Sequence, residues 1–415
     1  MAVLVTIIML SRRTFLSLLG TAAVAPRVLR AQPKAGGVAL YASVGRTLVH
    51  YDLDVEAATL AKRGEVTLPA SVQYAWPHAS RRFLYVASSN TPAGSHHLSA
   101  FRLDATGGLT AHGTDIALPS RPINVCSDIP SEHLLVAFNS PSALRVYGVN
   151  PDGTLGAEVV QGESIDAGVY AHQVRVSPDN RVAILVTRGN DAAAGHPEDP
   201  GALKVFRYER GRLTQEVSIA PHGGFGFGPR HLDFHPTQPW VYVSRERENA
   251  ISLFRMEGDR VQAEPAFTTG TLAAPSATRQ VAGAIHLHPS GRFVYGVNRR
   301  DLAAIQPGTP LAAAGENSLV VFAIDPATGE PTPIQHMDTR GIHDRTFHLD
   351  PTGRVLVTAQ MRTLGVTDGA AVRVVPAGMT VFRIGDDGRL EYVRKYDLEA
   401  GNEPLYWMGM VSSAA

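Results

Sequence analysis

The sequence predicts an all-β protein, a seven-bladed β-propeller whose ring is closed by strands from both ends of the chain. Three observations lead to this fold. Short segments rich in β-branched and aromatic residues recur from about residue 38 onwards. A strand, a turn and a second strand recur at intervals of 50 to 62 residues. A final predicted strand lacks outer partners, and three strands without an inner partner stand at the start of the repeats.

The first 31 residues are interpreted as an export signal and not as part of this fold. Residues 11–16 read Ser-Arg-Arg-Thr-Phe-Leu and lead into an apolar run, which resembles the signal read by the twin-arginine export machinery. An amphipathic helix would not carry so uniform an apolar run, and Arg27 and Arg30 interrupt it too early for a membrane anchor. We therefore expect cleavage near Ala31, a periplasmic mature protein without a membrane span, and a natural start at Met9.

Each predicted blade has four strands in about 50 residues, and the repeats fill residues 38–415 as one domain. The recurring turns are Trp76-Pro77, Ser127-Asp128, Ser177-Pro178, His235-Pro236, His288-Pro289 and Asp350-Pro351. The predicted third strands are Leu98–Leu103, Ala143–Val149, Leu203–Tyr208, Ile251–Met256, Leu319–Ile324 and Met379–Ile384. Leu405–Val411 would be the innermost strand of the seventh blade, with Val38–Val44, Thr47–Leu53 and Thr59–Leu68 as its outer strands. Sharing this blade between the two ends leaves no sheet edge exposed.

The composition is that of a folded globular protein without an obvious charged partner. Hydrophobic residues make up 44% of the 415 residues, and 39 glycines and 28 prolines suit a chain with many turns. Lysine plus arginine equals aspartate plus glutamate, at 38 each, so nothing indicates nucleic-acid binding. The single cysteine, Cys126, excludes an intramolecular disulfide, and its apolar neighbours favour a buried thiol over a nucleophile.

Equivalent positions of the repeat predict which side chains meet at one end of the central channel. The positions six residues before the turns hold Ser71, Pro122, His172, Arg230, Gly283 and Arg345. Ten residues after two of the turns stand Glu246 and Arg299. In a propeller both positions open on the same face, so a histidine, a carboxylate and three arginines are expected to converge there. Such a group suits anion binding and acid/base chemistry.

Each of these residues also has an ordinary structural interpretation. His172 would serve as a satisfied histidine at the start of a strand, Glu246 as part of a solvated charge cluster, and Arg299 as a surface arginine. The other histidines show no metal-ligand spacing, and neither a metal nor a cofactor is predicted. Residues 223–228 are glycine-rich without a following helix, which indicates a flexible loop and not a phosphate cradle.

Four segments resemble the lactonase family of seven-bladed propellers, and the resemblance covers nearly all of residues 38–415. The segments are Tyr170-Ala171-His172 with Val176–Asn180, Gly228–Pro236, Ala284–His286 with Pro289–Arg292, and Asp350–Arg354. This family includes 6-phosphogluconolactonases and an enzyme that forms a muconate lactone. In the latter branch a histidine, two arginines and a glutamate are implicated, and by matching motifs they fall on His172, Arg230, Glu246 and Arg299.

The chain departs from that family's pattern in three respects. Many relatives have a glutamine ten residues after the last turn, whereas Gln360 stands at nine, where we keep it as a substrate-binding residue. Three extended loops, about residues 189–201, 301–317 and 362–377, are expected on the active face, where they would reshape or cover the pocket. Export also sets the chain apart, because phosphogluconolactone metabolism is cytoplasmic.

The resemblance implies hydrolysis of a small sugar lactone, with His172 or Glu246 taking a proton from water. Arg230 would bind the substrate or polarise its carbonyl group, and Arg299 and Arg345 would stabilise the oxyanion or a substrate anion. A propeller that binds a ligand or a protein in the periplasm without catalysis is an alternative, because a fold does not fix a function. A lactonising lyase or isomerase using the same residues is another.

Overall fold

The computed structural model describes residues 37–90, 94–303, 305–306, 308–401 and 403–412, and these residues form seven blades arranged as predicted, five with four strands and two with a fifth, short strand. Nearly all regular structure is antiparallel β-sheet, with one short 3-10 turn at Pro221–Gly224. Within these ranges, no helix has the length and apolar character needed to cross a membrane. The proposed export signal, its cleavage point and Met9 lie outside the described residues.

The two ends of the propeller share one blade, which we call the closure blade. Its strands in order from the outside are β3 (Thr59–Thr67), β2 (Thr47–Asp54), β1 (Val38–Val44) and β32 (Met408–Ser412). Strand β1 is paired on both sides, with Leu40 opposite Tyr51 on one side and Met410 on the other. The predicted ring closure is therefore confirmed, with the innermost strand beginning three residues later than expected.

The remaining blades follow one another along the chain, each running from the innermost strand outwards. Blade 1 contains β4 (Val72–Pro77), β5 (Phe83–Asn90), β6 (Ser95–Leu103), β7 (Leu109–Ala111) and β8 (Ile116–Ala117). Blade 2 contains β9 (Pro122–Ser127), β10 (His133–Asn139), β11 (Ser142–Val149) and β12 (Leu155–Glu158). Blade 3 contains β13 (Ala171–Val176), β14 (Val182–Thr187), β15 (Ala202–Glu209) and β16 (Arg212–Ile219).

The last three blades follow the same order, and blades 5 and 6 contain two of the three extended loops. Blade 4 contains β17 (Pro229–Phe234), β18 (Trp240–Arg245), β19 (Ala250–Glu257), β20 (Arg260–Val261) and β21 (Phe267–Gly270). Blade 5 contains β22 (Gln280–Leu287), β23 (Phe293–Arg300), β24 (Ser318–Ile324) and β25 (Pro331–Asp338). Blade 6 contains β26 (Asp344–Leu349), β27 (Val355–Gln360), β30 (Gly378–Ile384) and β31 (Leu390–Asp397), with a hairpin of β28 (Leu364–Asp368) and β29 (Ala371–Val375) between its second and third strands.

Apolar side chains between neighbouring blades form the core, because the middle strands are buried on both faces. A repeated contact ties one blade to the next: a tyrosine hydroxyl donates to a glycine carbonyl in an outer turn of the following blade. We call these contacts the tyrosine latches. They join Tyr41 to Gly107 (2.5 Å), Tyr85 to Gly153 (3.1 Å), Tyr242 to Gly329 (2.7 Å) and Tyr295 to Gly388 (2.9 Å). The four glycines have φ between +79° and +86°, which L side chains rarely adopt, so the turns depend on glycine.

A β-bulge recurs in the innermost strands and turns selected side chains towards the channel. The pairing of β13 with β14 skips His172, that of β17 with β18 skips Arg230, and that of β26 with β27 skips Arg345. Equivalent irregularities occur in β4, β9 and β22. A bulge places two consecutive residues opposite one and redirects a side chain, so residues in this layer are freed from the ladder for other contacts.

The extended loops 301–317 and 362–377 pair with each other. Leu311 donates its N–H to the carbonyl of Gly365, and Thr367 donates to that of Leu311, both at 2.9 Å. Their apolar side chains make a small core separate from the blade interfaces, consisting of Leu302, Leu311, Ile342, Met361, Val366 and Val375. Tyr406 packs against this core. The loops therefore support a side chain that belongs to the site described next.

Candidate functional site

The bulged residues of the six complete blades form one layer around the upper channel. They are Gln73, Ile123, His172, Arg230, Gly283 and Arg345. Four of the six agree with the positions predicted from the turns. The predicted Ser71 and Pro122 are wrong, because the turns of blades 1 and 2 begin at His78 and Asp128, which moves the equivalent positions to Gln73 and Ile123.

Glu246 lies at the centre of an arginine cluster. Arg230 Nη1 donates to Glu246 Oε1 at 2.7 Å, and Arg299 Nη2 donates to the same oxygen at 2.5 Å. The other oxygen, Oε2, accepts from Arg188 Nε. Burial alone would raise the pKa of Glu246, but Arg230, Arg188 and Arg299 lower it far below its usual value. Glu246 is therefore a permanent anion with both oxygens engaged by guanidinium groups.

His172 stands beside this cluster as a neutral imidazole. The residue is 4% exposed, and its ring packs edge-on against the ring of His231, with 5.0 Å between centroids. Burial, with the charge of Arg230 as the next cause, lowers the pKa of His172 well below its usual value. Among the described residues, no group bonds to Nδ1 of this imidazole. A neutral imidazole has one unprotonated nitrogen, which is able to accept a proton.

Arg299 is held on two sides. Besides its bond to Glu246, Arg299 Nη1 donates to Nε2 of His343 at 3.2 Å. The other nitrogen of that ring, Nδ1, lies 2.7 Å from the carbonyl oxygen of Arg300 and donates to it in the neutral tautomer. Burial and the charge of Arg299 lower the pKa of His343 well below its usual value, which keeps the ring neutral and Nε2 an acceptor. His343 thus orients Arg299.

Arg345 has a different environment from the other arginines. Its guanidinium carbon is 4.9 Å from the ring centroid of Tyr406, and the same ring contacts Arg121 at 6.0 Å. Arg121 donates to Oε1 of Gln73 at 2.9 and 3.1 Å. Within the described part of the chain, Arg345 forms no ion pair with a carboxylate. Burial and the charge of Arg230 lower the pKa of Arg345 to about 10, as expected for a buried cation without a carboxylate partner.

The cavity at the centre of the propeller is lined by residues of all seven blades. Its lining combines five members of the bulged layer, side chains one to three residues further along the innermost strands, and Tyr406. The lining residues are Gln73, Tyr74, Ile123, His172, Gln173, Arg230, His231, Ala284, Ile285, His286, Arg345, Thr346 and Tyr406. Larger depressions lie elsewhere, between outer strands, and contain none of the predicted site residues. The central cavity is the candidate site because the side chains able to take part in catalysis line it.

Gln360 is not among these lining residues. Its amide nitrogen donates to Asp344 Oδ1 at 2.6 Å and to Thr380 Oγ1 at 3.2 Å, inside blade 6. Neighbouring residues of a strand face opposite sides, and the position ten residues after the turn is held by Met361. Substrate binding by Gln360 stays a prediction. Its amide nitrogen links β27 to the neighbouring strands β26 and β30 of the same blade.

Sequence reasoning missed several members of the site. Arg188 stands ten residues after the turn of blade 3, the same offset that singled out Glu246 and Arg299, so this signal was present and unused. No comparable signal marked His343, because its partner Arg299 is 44 residues away in the chain. Within the described ranges, no three histidine, cysteine, aspartate or glutamate side chains are grouped to hold a metal ion. Burial raises the pKa of Cys126 to about 12, as suits an inert core thiol.

Comparison with known families gives this site its context. The family model described as Lactonase, 7-bladed beta-propeller matches residues 37–367. The chain belongs to this family. The predicted family resemblance and the predicted fold class are thereby confirmed, and the unusual hairpin β28–β29 lies largely at or beyond the end of the matched region.

Curated relatives of the chain include 6-phosphogluconolactonases. That of Bacillus subtilis is 25% identical over 334 residues, which cover 79% of this chain and 88% of that protein. That of Pectobacterium carotovorum is 24% identical over 298 residues, covering 72% of this chain and 80% of that protein. Both alignments span most of the propeller.

Solved structures with the same fold include a periplasmic gluconolactonase of Pseudomonas aeruginosa. It is 21% identical, covers 91% of this chain and 99% of its own, and superposes with a TM-score of 0.70. A putative 6-phosphogluconolactonase of Bacteroides fragilis, 18% identical, covers 92% of this chain and 100% of its own with a TM-score of 0.69. At these identities the likeness establishes the fold.

Proposed function

We propose that this protein hydrolyses a small sugar lactone in the upper channel of the propeller. The observation that carries the proposal is the neutral, unpartnered Nδ1 of His172 beside a cluster of oriented arginines, in a chain of the lactonase family. The relatives named 6-phosphogluconolactonase and the gluconolactonase of the same fold support a sugar lactone as the substrate.

In this reaction His172 acts as the base. Its Nδ1 takes a proton from a water molecule as the water oxygen attacks the lactone carbonyl. Negative charge then develops on the carbonyl oxygen, where Arg230 and Arg299 are placed to stabilise it. The ring C–O bond breaks, and the proton held by His172 passes to the departing oxygen.

Glu246 acts through its arginines and does not serve as the base. Both of its oxygens accept from guanidinium groups, and its depressed pKa leaves it without a useful affinity for a proton. A carboxylate between Arg188, Arg230 and Arg299 fixes these long side chains in one arrangement. This prepositioning supplies the electrostatic part of catalysis without reorganisation during the reaction.

Arg345 provides a position for an anionic substituent of the substrate. It has no carboxylate partner among the described residues, and Arg121 adds a second positive charge on the same tyrosine ring. A carboxylate or a phosphate would complete this cation pair by charge-assisted hydrogen bonds. Gln360 is retained as a lesser contributor to substrate binding.

We also infer that the mature protein works in the periplasm after twin-arginine export. The motif of residues 11–16 supports this inference, and a gluconolactonase of the same fold is described as periplasmic. Export would bring the enzyme to lactones outside the cytoplasm. A fusion of residues 1–37 to a folded reporter, with and without the two arginines changed to lysine, tests the route.

The decisive experiment is a hydrolysis assay of the purified mature protein on phosphorylated and unphosphorylated sugar lactones, with product acid quantified by chromatography. His172→Ala is expected to lower kcat about 10²- to 10⁴-fold with an unchanged circular dichroism spectrum. Arg102→Ala, an exposed arginine of β6, is the matched control and retains full turnover. Absence of hydrolysis by the wild type across the panel would favour a binding propeller or a lactonising enzyme.

A further inference from the structure

Four side chains on one side of the upper channel form a connected group, which we call the distal group: Gln73, Arg121, Arg345 and Tyr406. They come from four consecutive blades, from blade 6 through the closure blade to blade 2. The reaction described above gives Tyr406 no role. Tyr406 also lies outside residues 37–367 matched by the family model, so its role has to be inferred from its own contacts.

The distal group lies across the channel from the groups proposed to attack the lactone. In the ring of seven blades, two blades separate the closure blade from blade 3 on one side and from blade 4 on the other. Tyr406 is therefore on the opposite side of the cavity from His172 and Arg230, and all three line it. A lactone with its carbonyl group at His172 and Arg230 would direct its remote substituent towards Tyr406.

The position of Tyr406 is fixed by its backbone and by its neighbours in the chain. The N–H groups of Tyr406 and Trp407 both donate to Ser43 Oγ of β1, at 3.2 and 3.0 Å. The N–H of Leu405 donates to the carbonyl of Met361 at 2.8 Å. The Tyr406 side chain packs against the small core of the extended loops. The closure blade and the loops thus hold the ring in place independently of the arginines.

Two guanidinium groups share the ring of Tyr406. The guanidinium carbon of Arg345 is 4.9 Å from the ring centroid, and that of Arg121 is 6.0 Å from it. Arg121 is also fixed by Gln73, whose Oε1 accepts from both Nε and Nη2. The Arg345 side chain forms neither a hydrogen bond nor an ion pair with any described residue. The electron-rich face of Tyr406 therefore supplies its stabilising contact and brings two like charges together.

The charge balance of the distal group differs from that around Glu246. Three arginines surround Glu246 and engage both of its oxygens. Among the described residues, no carboxylate pairs with Arg121 or Arg345, and both are half-buried. Packing of the Tyr406 ring does not require two cations without a counter-ion beside it, whereas an anionic ligand would supply that counter-ion.

We propose that Tyr406 determines which lactones the site prefers, by holding Arg121 and Arg345 side by side to receive an anionic substituent remote from the lactone carbonyl. A carboxylate or phosphate there accepts charge-assisted hydrogen bonds from both guanidinium groups, whereas a hydroxymethyl group leaves them without a counter-ion. The inference rests on the proposed lactone hydrolysis. Because the ring orients binding groups and is remote from the bond that breaks, it should affect KM more than kcat.

The test uses three lactones that carry a hydroxyl group, a carboxylate or a phosphate on their terminal carbon: gluconolactone, glucarolactone and 6-phosphogluconolactone. Tyr406→Leu keeps an apolar side chain but removes the aromatic face, and Tyr406→Phe keeps the aromatic face. Tyr392→Leu is the matched control, because this exposed tyrosine of β31 also carries an arginine, Arg340, at 5.1 Å from its ring centroid. Steady-state kinetics give kcat and KM for each pair of variant and lactone.

The wild type is expected to prefer an anionic lactone, and the one with the lower KM identifies the anion as carboxylate or phosphate. Tyr406→Leu should raise KM for that lactone about tenfold, because both arginines lose their common partner, with little change in kcat. Its KM for gluconolactone should stay near that of the wild type. Tyr406→Phe and Tyr392→Leu should retain the preference. Arg121→Gln, which leaves the packing of Tyr406 in place, should show the same selective rise in KM.

Two results would overturn the role of Tyr406 while leaving lactone hydrolysis standing. One is a wild type without preference for an anionic lactone. The other is a loss in Tyr406→Leu that is equal for all three lactones, or that Tyr406→Phe shares, together with an unchanged preference in Arg121→Gln. Absence of hydrolysis of every lactone by the wild type would instead remove the proposed function and this inference with it.

Discussion

The outer latches and the bulged layer of the channel use the same repeat in opposite ways. The latches place the same two residue types, tyrosine and glycine, at equivalent positions on four pairs of blades. The bulged layer places different side chains at equivalent positions, from Gly283 to Arg230. The repeated contacts stabilise four of the blade interfaces in the same way, and the varied side chains in the channel assemble a site with one orientation.

Arg230→Ala tests whether the channel residues serve activity and the latches serve stability. The largest effect on activity is expected for this variant. Loss of a charged donor to the developing oxyanion should lower kcat/KM by about 10³-fold. Glu246 keeps Arg188 and Arg299 as partners, so the midpoint of urea unfolding should change little. Steady-state kinetics and unfolding curves measure the two effects. A large stability loss with residual activity near that of the wild type would contradict the division.

Glu246→Gln is expected to break the division, because Glu246 serves both activity and stability. Removal of this charge leaves three buried or half-buried guanidinium groups around a neutral amide, which should destabilise the fold by about 3 kcal/mol. Turnover should also fall by about 100-fold as Arg230 and Arg299 lose their common anchor. Denaturant unfolding and kinetics on the same preparation check both. Glu248→Gln, two residues along in the same loop but with a 41% exposed side chain, is the matched control.

Acidification should lower the stability of the protein through the buried histidines of the channel. His172, His231, His286 and His343 have pKa values well below 6.5 in the folded protein, so the unfolded chain binds more protons than the folded one below about pH 6.5. Stability is therefore expected to fall as the pH drops from 7 to 5, and His231→Gln should make this dependence shallower. Thermal unfolding across this pH range is the measurement. An equal slope in the variant would count against a neutral His231.

The smallest effect is expected at a single latch. Tyr242→Phe removes the hydroxyl that donates to Gly329 and leaves the carbonyl in an outer turn, which should cost about 1 kcal/mol of unfolding free energy. Lactone turnover should be unchanged, because the contact lies outside the channel. Tyr51→Phe, at a tyrosine of the closure blade that makes no latch, provides the control. A change in KM would show that latch and site are coupled.

The propeller ring could be predicted well because the sequence features that indicate it are periodic. Short strands, turns and complementary ends repeat at a fixed interval, and an error in one blade is corrected by the others. The site was predicted only where the offset from the turn held: His172, Arg230 and Arg345 fell on bulges. The turns of blades 1 and 2 have the same backbone hydrogen bonds but no proline in second position, so the count gave Ser71 and Pro122.

What the sequence concealed are contacts between blades. The bond from Arg299 to His343 and the contact of Arg345 with Tyr406 join residues distant in the chain, and no local pattern marks them. The role of Glu246 was also left open, since a carboxylate among arginines in sequence does not reveal how many of them point at it. Gln360 stands one residue before the position equivalent to Glu246 and Arg299. Because side chains alternate between the two faces of a strand, its amide contacts Asp344 inside the blade and not the cavity.

The closure blade has a consequence for how the protein is made. Strand β1 emerges from the ribosome before any complete blade, yet its inner neighbour β32 is translated after all of them. Until then β1 carries an unpaired edge and the ring stays open, so a product that stops before residue 408 cannot complete its last sheet. A truncated chain would therefore lack the innermost strand of the closure blade and keep the edge of β1 exposed.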